Sequence, residues 1–262
     1  MGNERLILCG GLTAPGGASK KPAVSLSLWG KQSNVTLKLS DISQKMVANI
    51  SPVLIDLLEI ATYVYCADQA TTRGGITGQD YGARWRRGFR FHIPVRVPDL
   101  WSSATVCTAL RDTLAFLSDD EYDFTFKKLA KPPPVDQYLD FGPAGESGFQ
   151  AEEVLLFSGG LDSLGGTVQE AVAAKRSVAL VSHRSSPKIA SRQKALLEGL
   201  QRHCPAKKPF HVPVWVNKEK PLGKEYTQRT RSFLYASLAA VVARIFELSR
   251  IRFYENGVVS IN

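Results

Sequence analysis

Cysteine is scarce here and never closely paired. The four present, Cys9, Cys66, Cys107 and Cys204, lie dozens of residues apart. With no CxxC spacing, neither a zinc knuckle nor a disulfide framework is written into the chain. A reduced, cytoplasmic setting is the expectation that follows. Long hydrophobic runs are missing as well, since no stretch approaches the roughly 18 apolar residues of a membrane helix. The opening Met1-Gly2-Asn3-Glu4-Arg5 lacks a basic stretch before the short Leu6-Ile7-Leu8-Cys9 run, and predicts no leader peptide. No internal repeat is visible.

What is present is an ordinary globular composition. The 262 residues are 44% hydrophobic and 22% charged, enough for a core in one large or two ordinary domains. The net charge of +9 is unevenly spread: residues 1–150 hold 16 basic and 15 acidic side chains, residues 151–262 hold 17 and 9. A basic second half points to an anionic partner, nucleotide phosphates or nucleic acid. No run of five basic residues occurs, so a solvated basic surface remains the alternative.

The first half reads as mixed α and β. Leu6–Cys9, Val24–Trp29 and Val35–Leu39 are strand-like, the last two by alternation. Pro52 to Ala70 has apolar residues at helical spacing, with Ser51 as N-cap and Pro52 at the first helical position. Alternation returns over Trp85–Val97, a helix is expected over Asp99–Leu117, and Tyr122–Phe126 is a further strand. Two segments attract attention. Gly10-Gly11-Leu12-Thr13-Ala14-Pro15-Gly16-Gly17 is glycine-rich like a phosphate loop, but no Gly-Lys-Ser/Thr ends it, which leaves a turn or flexible loop. Asp68, Arg73, Asp80, Trp85, Arg86 and Arg87 surround a second glycine-rich stretch and read as a surface loop with a local ion pair. Residues 131–151, rich in Pro and Gly, read as a linker between an α+β accessory domain at 1–130 and a second domain at 152–262.

That second domain alternates strand and helix: strands at Val154–Phe157, Val178–Val181, His211–Val216 and Ile251–Tyr254, helices between them. Such alternation predicts an α/β fold with a parallel sheet and ligands beyond its carboxyl edge. Its first strand runs straight into Ser158-Gly159-Gly160-Leu161-Asp162-Ser163 and a helix. The glycines allow a tight turn and close approach to an anion. Consecutive backbone amides and the helix start supply partial positive charge. Ser158 and Ser163 add hydroxyls, and Asp162 is suited to capping the helix or orienting a metal.

This segment resembles the pyrophosphate-binding PP-loop, SGGxDS, of the N-type ATP pyrophosphatases. Within that class the chain is similar to the 7-cyano-7-deazaguanine synthase (QueC-like) family, in particular to its larger members in bacterial antiphage defence. Beyond the loop, the likeness rests on Leu180-Val181-Ser182-His183-Arg184, Arg229-Thr230-Arg231-Ser232-Phe233-Leu234 and Glu255-Asn256-Gly257-Val258-Val259-Ser260, and covers about residues 152–262. It implies a PP-loop domain that binds ATP at 158–163, with Ser182 and His183 holding adenine and ribose largely through backbone. Arg231 would sit near the phosphates, and Glu255 and Asn256 would contact substrate. Asp162 and Glu255 would be Mg²⁺ ligands, and Asp162 and Arg231 the catalytic pair. The implied activity is adenylation of a carboxylate, plausibly of a 7-deazaguanine, with loss of pyrophosphate and transfer to ammonia or a protein amine. A protein partner from the same defence operon is then expected, nucleic acid stays open, and no membrane is involved. A zinc site of clustered cysteines, found in the synthases, is missing; the chain reads as an incomplete PP-loop domain, with zinc confined to any further segment and the isolated piece expected to be inactive. Two alternatives stand: a PP-loop enzyme acting on tRNA, which the basic half favours, and a nucleotide-binding interaction protein without catalysis.

Overall fold

In a computed structural model, the structure describes residues 4–14, 23–46, 49–73, 85–133, 148–225 and 228–255. Among them no helix is long and apolar enough to cross a membrane. The fold is α/β with two four-stranded sheets, and the chain divides into two compact units. The first unit comprises residues 1–36, 52–134 and 217–234, the second 37–51, 135–216 and 235–262. Both therefore draw on both halves of the chain, whereas the sequence led us to expect consecutive domains at 1–130 and 152–262. The physical difference lies at 37–51: Lys38 donates to Trp215 O and Trp215 N to Asp41, which ties this stretch to the second unit. Of the expected linker 131–151, residues 134–147 lie outside the described residues.

The first sheet has the order β2-β1-β4-β5, from β1 (Glu4–Cys9), β2 (Ala23–Leu26), β4 (Gly88–Val95) and β5 (Glu121–Lys128). Every pairing in it is parallel. The expected mixed α+β module is thus corrected to a parallel sheet joined by crossovers. The crossovers contain α2 (Pro52–Ala70), α3 (Pro98–Trp101) and α4 (Ala104–Ser118). Helix α2 is amphipathic only at its start; from Leu58 to Ala70 every side chain is buried. The single helix expected over 99–117 breaks at Ser102 and Ser103, where Ser103 Oγ bonds back to Leu100 O. Three of the residues expected on a surface loop, Asp68, Arg73 and Arg87, instead form a buried ionic cluster with Asp120, and residues 74–84 between them lie outside the described residues. Arg87, fully buried, donates to Asp68 and Asp120, and Arg73 forms a bidentate pair with Asp120 at 3.0 and 2.6 Å. Desolvating so many charges is tolerable only because each is paired and hydrogen-bonded. Trp85 and Arg86 stay outside, Arg86 paired with the exposed Asp119, and Asp80 lies outside the described residues.

The second sheet has the order β3-β8-β7-β6, from β3 (Val35–Leu37), β6 (Glu153–Leu156), β7 (Val178–Arg184) and β8 (Phe210–Lys218). Strands β6, β7 and β8 run parallel. The bonds Lys38 N to Trp215 O and Glu219 N to Asn34 O put β3 antiparallel on the edge. Helix α1 (Ser40–Met46) follows β3. The turn after β6 leads to α5 (Leu161–Thr167), which continues as a π-helical stretch over Val168–Ala173. Helix α6 (Pro187–His203) joins β7 to β8, capped by the Ser186 hydroxyl as its Ser-Pro start dictates. Helix α7 spans Arg231–Ile245. The fourth strand expected at 251–254 is one bridge: Arg252 pairs parallel with Leu155 on the free edge of β6.

Candidate functional site

Strands β6 and β7 are buried on both faces, as the strands of a parallel sheet must be. Their carboxyl ends therefore carry the polar residues. Beyond Phe157 the chain turns through Gly159, whose φ of +83° is left-handed and suits glycine alone. A Cβ there would stand 3.1 Å from Gln193 Cγ, so the glycine also permits close approach of α6. Ser158 Oγ accepts from Gly160 N at 3.2 Å and lies 3.1 Å from Ser163 Oγ, which donates to Gly160 O at 3.0 Å. The loop thus closes on its own hydroxyls, and an anion would take over these bonds. No side chain caps α5, so its first amides keep unused donors. Of the two roles open to Asp162, capping the helix or orienting a metal, the first is not taken: the carboxylate is exposed and has no partner among the described residues. Leu161 is also exposed, at 84%.

Ser182 and His183, the residues expected to hold adenine and ribose, turn their side chains inward. Ser182 Oγ donates to Phe157 O at 2.6 Å and accepts from His211 Nε2 at 2.8 Å. With the serine proton committed to the carbonyl, His211 must be the Nε2–H tautomer. Burial, aided by Lys45 and Arg184, pushes His211 down to about 4, which keeps it neutral. His183 Nε2 bonds Val216 O at 2.9 Å, and its ring meets Tyr235 edge-on. Any contact from 182–183 to a ligand is left to the backbone.

Gln193 joins the two strand ends. Its Nε2 donates to Ser158 O at 3.2 Å and to His183 O at 3.3 Å, leaving Oε1 buried with no partner. Gln193 also lines a cavity of about 530 Å³ together with Arg184, His211 and Trp215. The stem of Arg192 passes 3.8 Å from the position a Gly159 Cβ would occupy, which puts a cation beside the loop. Sequence reasoning missed Arg192, Gln193 and His211, because neither α6 nor the start of β8 carries a motif and only the fold brings them to the ends of β6 and β7.

Glu255 is exposed, three residues past the Arg252–Leu155 bridge. Ser158 is likewise three residues past Leu155. The segment is fixed by Tyr254, whose hydroxyl donates to Glu170 at 2.6 Å and whose ring fills the space over Gly166. Arg252 is held by Glu153 at 2.9 Å. Arg231, expected near the phosphates, is the exposed first residue of α7 and belongs to the other compact unit. Asn256 lies outside the described residues. Among the described residues, no group of three His, Cys, Asp or Glu could hold a metal by itself. A free carboxylate such as Asp162 nonetheless fits Mg²⁺, which takes one or two carboxylates and completes its shell with phosphates and water.

Compared with protein-family models, curated proteins and solved structures, the chain matches none.

Proposed function

We propose that the chain is an ATP-dependent enzyme in which the loop 158–163 binds pyrophosphate as it leaves ATP. One observation carries this reading. A parallel strand ends in a left-handed glycine turn whose two serine hydroxyls bond only within the loop, next to an uncapped helix start and an unpartnered carboxylate. Unused amides and a helix start favour an anion, and exchangeable hydroxyls adapt to its oxygens. Asp162 would hold Mg²⁺ against the phosphates; the ion supplies charge neutralisation on the leaving group. The cavity beside Gln193 would take the nucleoside, with Oε1 accepting from an amino group of the base. Arg192 would offset charge developing on the pyrophosphate, the task first assigned to Arg231.

By the same reading, a carboxylate, plausibly of a 7-deazaguanine, attacks the α-phosphorus; the bond to the bridging oxygen breaks, and pyrophosphate departs. An amine, from ammonia or a protein, then displaces AMP from the acyl adenylate. The assay is Mg-ATP turnover to AMP and pyrophosphate with a 7-deazaguanine carboxylate, beside calorimetry of Mg-ATP and pyrophosphate. Binding that disappears in the Ser158→Ala/Ser163→Ala variant supports the reading. A folded chain that binds neither ATP nor pyrophosphate overturns it. Turnover only with tRNA would select the RNA-modifying alternative.

A further inference from the structure

The first unit has a crevice of its own. Its sheet runs β2-β1-β4-β5, all parallel, so the chain leaves β1 towards β2 on one side and later reaches β4 on the other. The carboxyl ends of β1 and β4 are therefore a topological switch point, where open α/β sheets bind ligands. A cavity of about 850 Å³ lies there, and all four strand ends contribute to it. That volume is within the range of small-molecule sites.

Three properties of the wall define what it fits. First, charge: the lining contains Lys31, Lys128 and Lys131 and no acidic residue. Lys128 Nζ is anchored on Arg96 O at 3.0 Å, while Lys31 and Lys131 have no partner among the described residues. Second, backbone: β1 ends in Gly10 and Gly11, both left-handed, with φ of +58° and +80°. A Cβ on Gly10 would stand 2.5 Å from Pro94 Cγ and 3.3 Å from the Trp29 ring, so only glycine lets the turn sit between them. The Gly11 amide has no partner among the described residues, and a Cβ on Gly11 would meet nothing within 4 Å. Third, a flat apolar surface: Trp29 lines the cavity, and the Arg96 guanidinium lies 5.9 Å from its ring. Arg96 itself is fixed by Asp56 and Glu59, at 3.0 and 2.8 Å. The loop bearing Trp29 and Lys31 is closed by Asn34, whose side chain accepts from Ser27 N and donates to Ser25 O. Asn34 thus braces the loop, and Arg96 is held in place behind the Trp29 ring.

We propose that this cavity binds a mononucleotide-sized phosphate ester, with the phosphate at the Gly10–Gly11 turn and Lys128 and Lys131, and a planar ring against Trp29. Lysines on the rim draw in the anion, the turn supplies an amide without a side chain in the way, and the indole accepts a π face. The site is independent of the loop 158–163 and of its proposed chemistry.

The test uses the full chain and adenosine 5′-monophosphate as probe, read by lysine acetylation and mass spectrometry. Saturating AMP is expected to slow acetylation of Lys31, Lys128 and Lys131 at least threefold, and equally so in an Asp162→Asn background. That background separates this site from the ATP loop. Lys128→Gln/Lys131→Gln, both exposed, should weaken AMP binding tenfold or more with Tm unchanged, and Trp29→Leu should weaken it while leaving inorganic phosphate unaffected. Absence of protection at the three lysines overturns the proposal. Equal affinity for inorganic phosphate and AMP overturns the assignment of a ring to Trp29.

Discussion

Each sheet sends a strand into a glycine turn, β1 from inside its sheet and β6 from the edge of the other, and the two turns differ in what surrounds them. After β1, Gly10 and Gly11 lie among lysines and an indole contributed by other strand ends. After β6, Gly159 and Gly160 bring their own serines and lead at once into a helix. The backbone device is shared; the chemistry is not. The β6 turn carries its polar groups within six consecutive residues and so announces itself as a motif. The β1 turn borrows its groups from positions up to 131, and its glycines by themselves complete no phosphate-loop pattern. A local sequence pattern reports self-contained sites, and misses sites assembled by topology.

The largest effect should come from the residue that distinguishes the β6 turn. Asp162→Asn is expected to lower AMP formation at least a hundredfold, about 3 kcal/mol in the transition state. Its carboxylate caps nothing, so Tm should stay within a degree or two. Full activity in this variant would remove Asp162 from the metal and leave the β6 turn as a passive anion cradle.

Next is Gly166→Ala. The added carbon would overlap the Tyr254 ring. Overpacking of this kind typically costs 1–3 kcal/mol, and here about 3 because both neighbours are fixed. Urea unfolding measures it, and Tyr254→Ala in the same chain should recover part of the loss. An unchanged midpoint would mean that Tyr254 moves freely.

His211 gives a pH signature to the second unit. Its pKa falls from 6.5 unfolded to about 4 folded, because burial opposes the imidazolium. The folded state thus binds fewer protons, and the stabilisation is complete above about pH 6.5 and lost as pH falls to about 4. The difference in unfolding free energy between the wild-type chain and His211→Asn should change by about 3 kcal/mol across that window. A difference that does not vary with pH would mean the imidazole is solvated.

The smallest effect is at the β1 turn. Gly10→Ala forces a left-handed alanine, about 1–2 kcal/mol, and pushes on Pro94. We expect a loss of about 2 kcal/mol in urea unfolding together with weaker AMP binding. Loss of stability with unchanged AMP binding would make the turn structural only.

What was legible in the sequence was whatever a few neighbouring residues decide. Helix α2 begins at Pro52 and ends at Ala70 as its spacing predicts, and Ser186-Pro187 opens α6. The strand, turn and helix at 154–167 were readable for the same reason. Pairing was not. Alternation in Val24–Trp29 and Val35–Leu39 marks half-exposed strands but cannot say whether a neighbour is reached by hairpin or crossover; one of these strands joined β1 in parallel and the other went to a different sheet. Nor could charge counting tell that Arg87 is buried, because Asp120, which satisfies it, lies 33 residues away. Gln193 and Tyr254 reach the candidate site from α6 and from the edge of β6, through contacts no spacing encodes.

The seat of Tyr254 on Gly166 makes α5 a shared lever. One end of that helix bears Asp162, and the other clips down the chain at 252–255 through the tyrosine ring and the Tyr254–Glu170 bond. If α5 shifts as its amides close on an anion, the anchor moves with it. Occupancy of the loop would then be conveyed mechanically to Glu255, giving the carboxyl edge a way to register whether phosphate is bound.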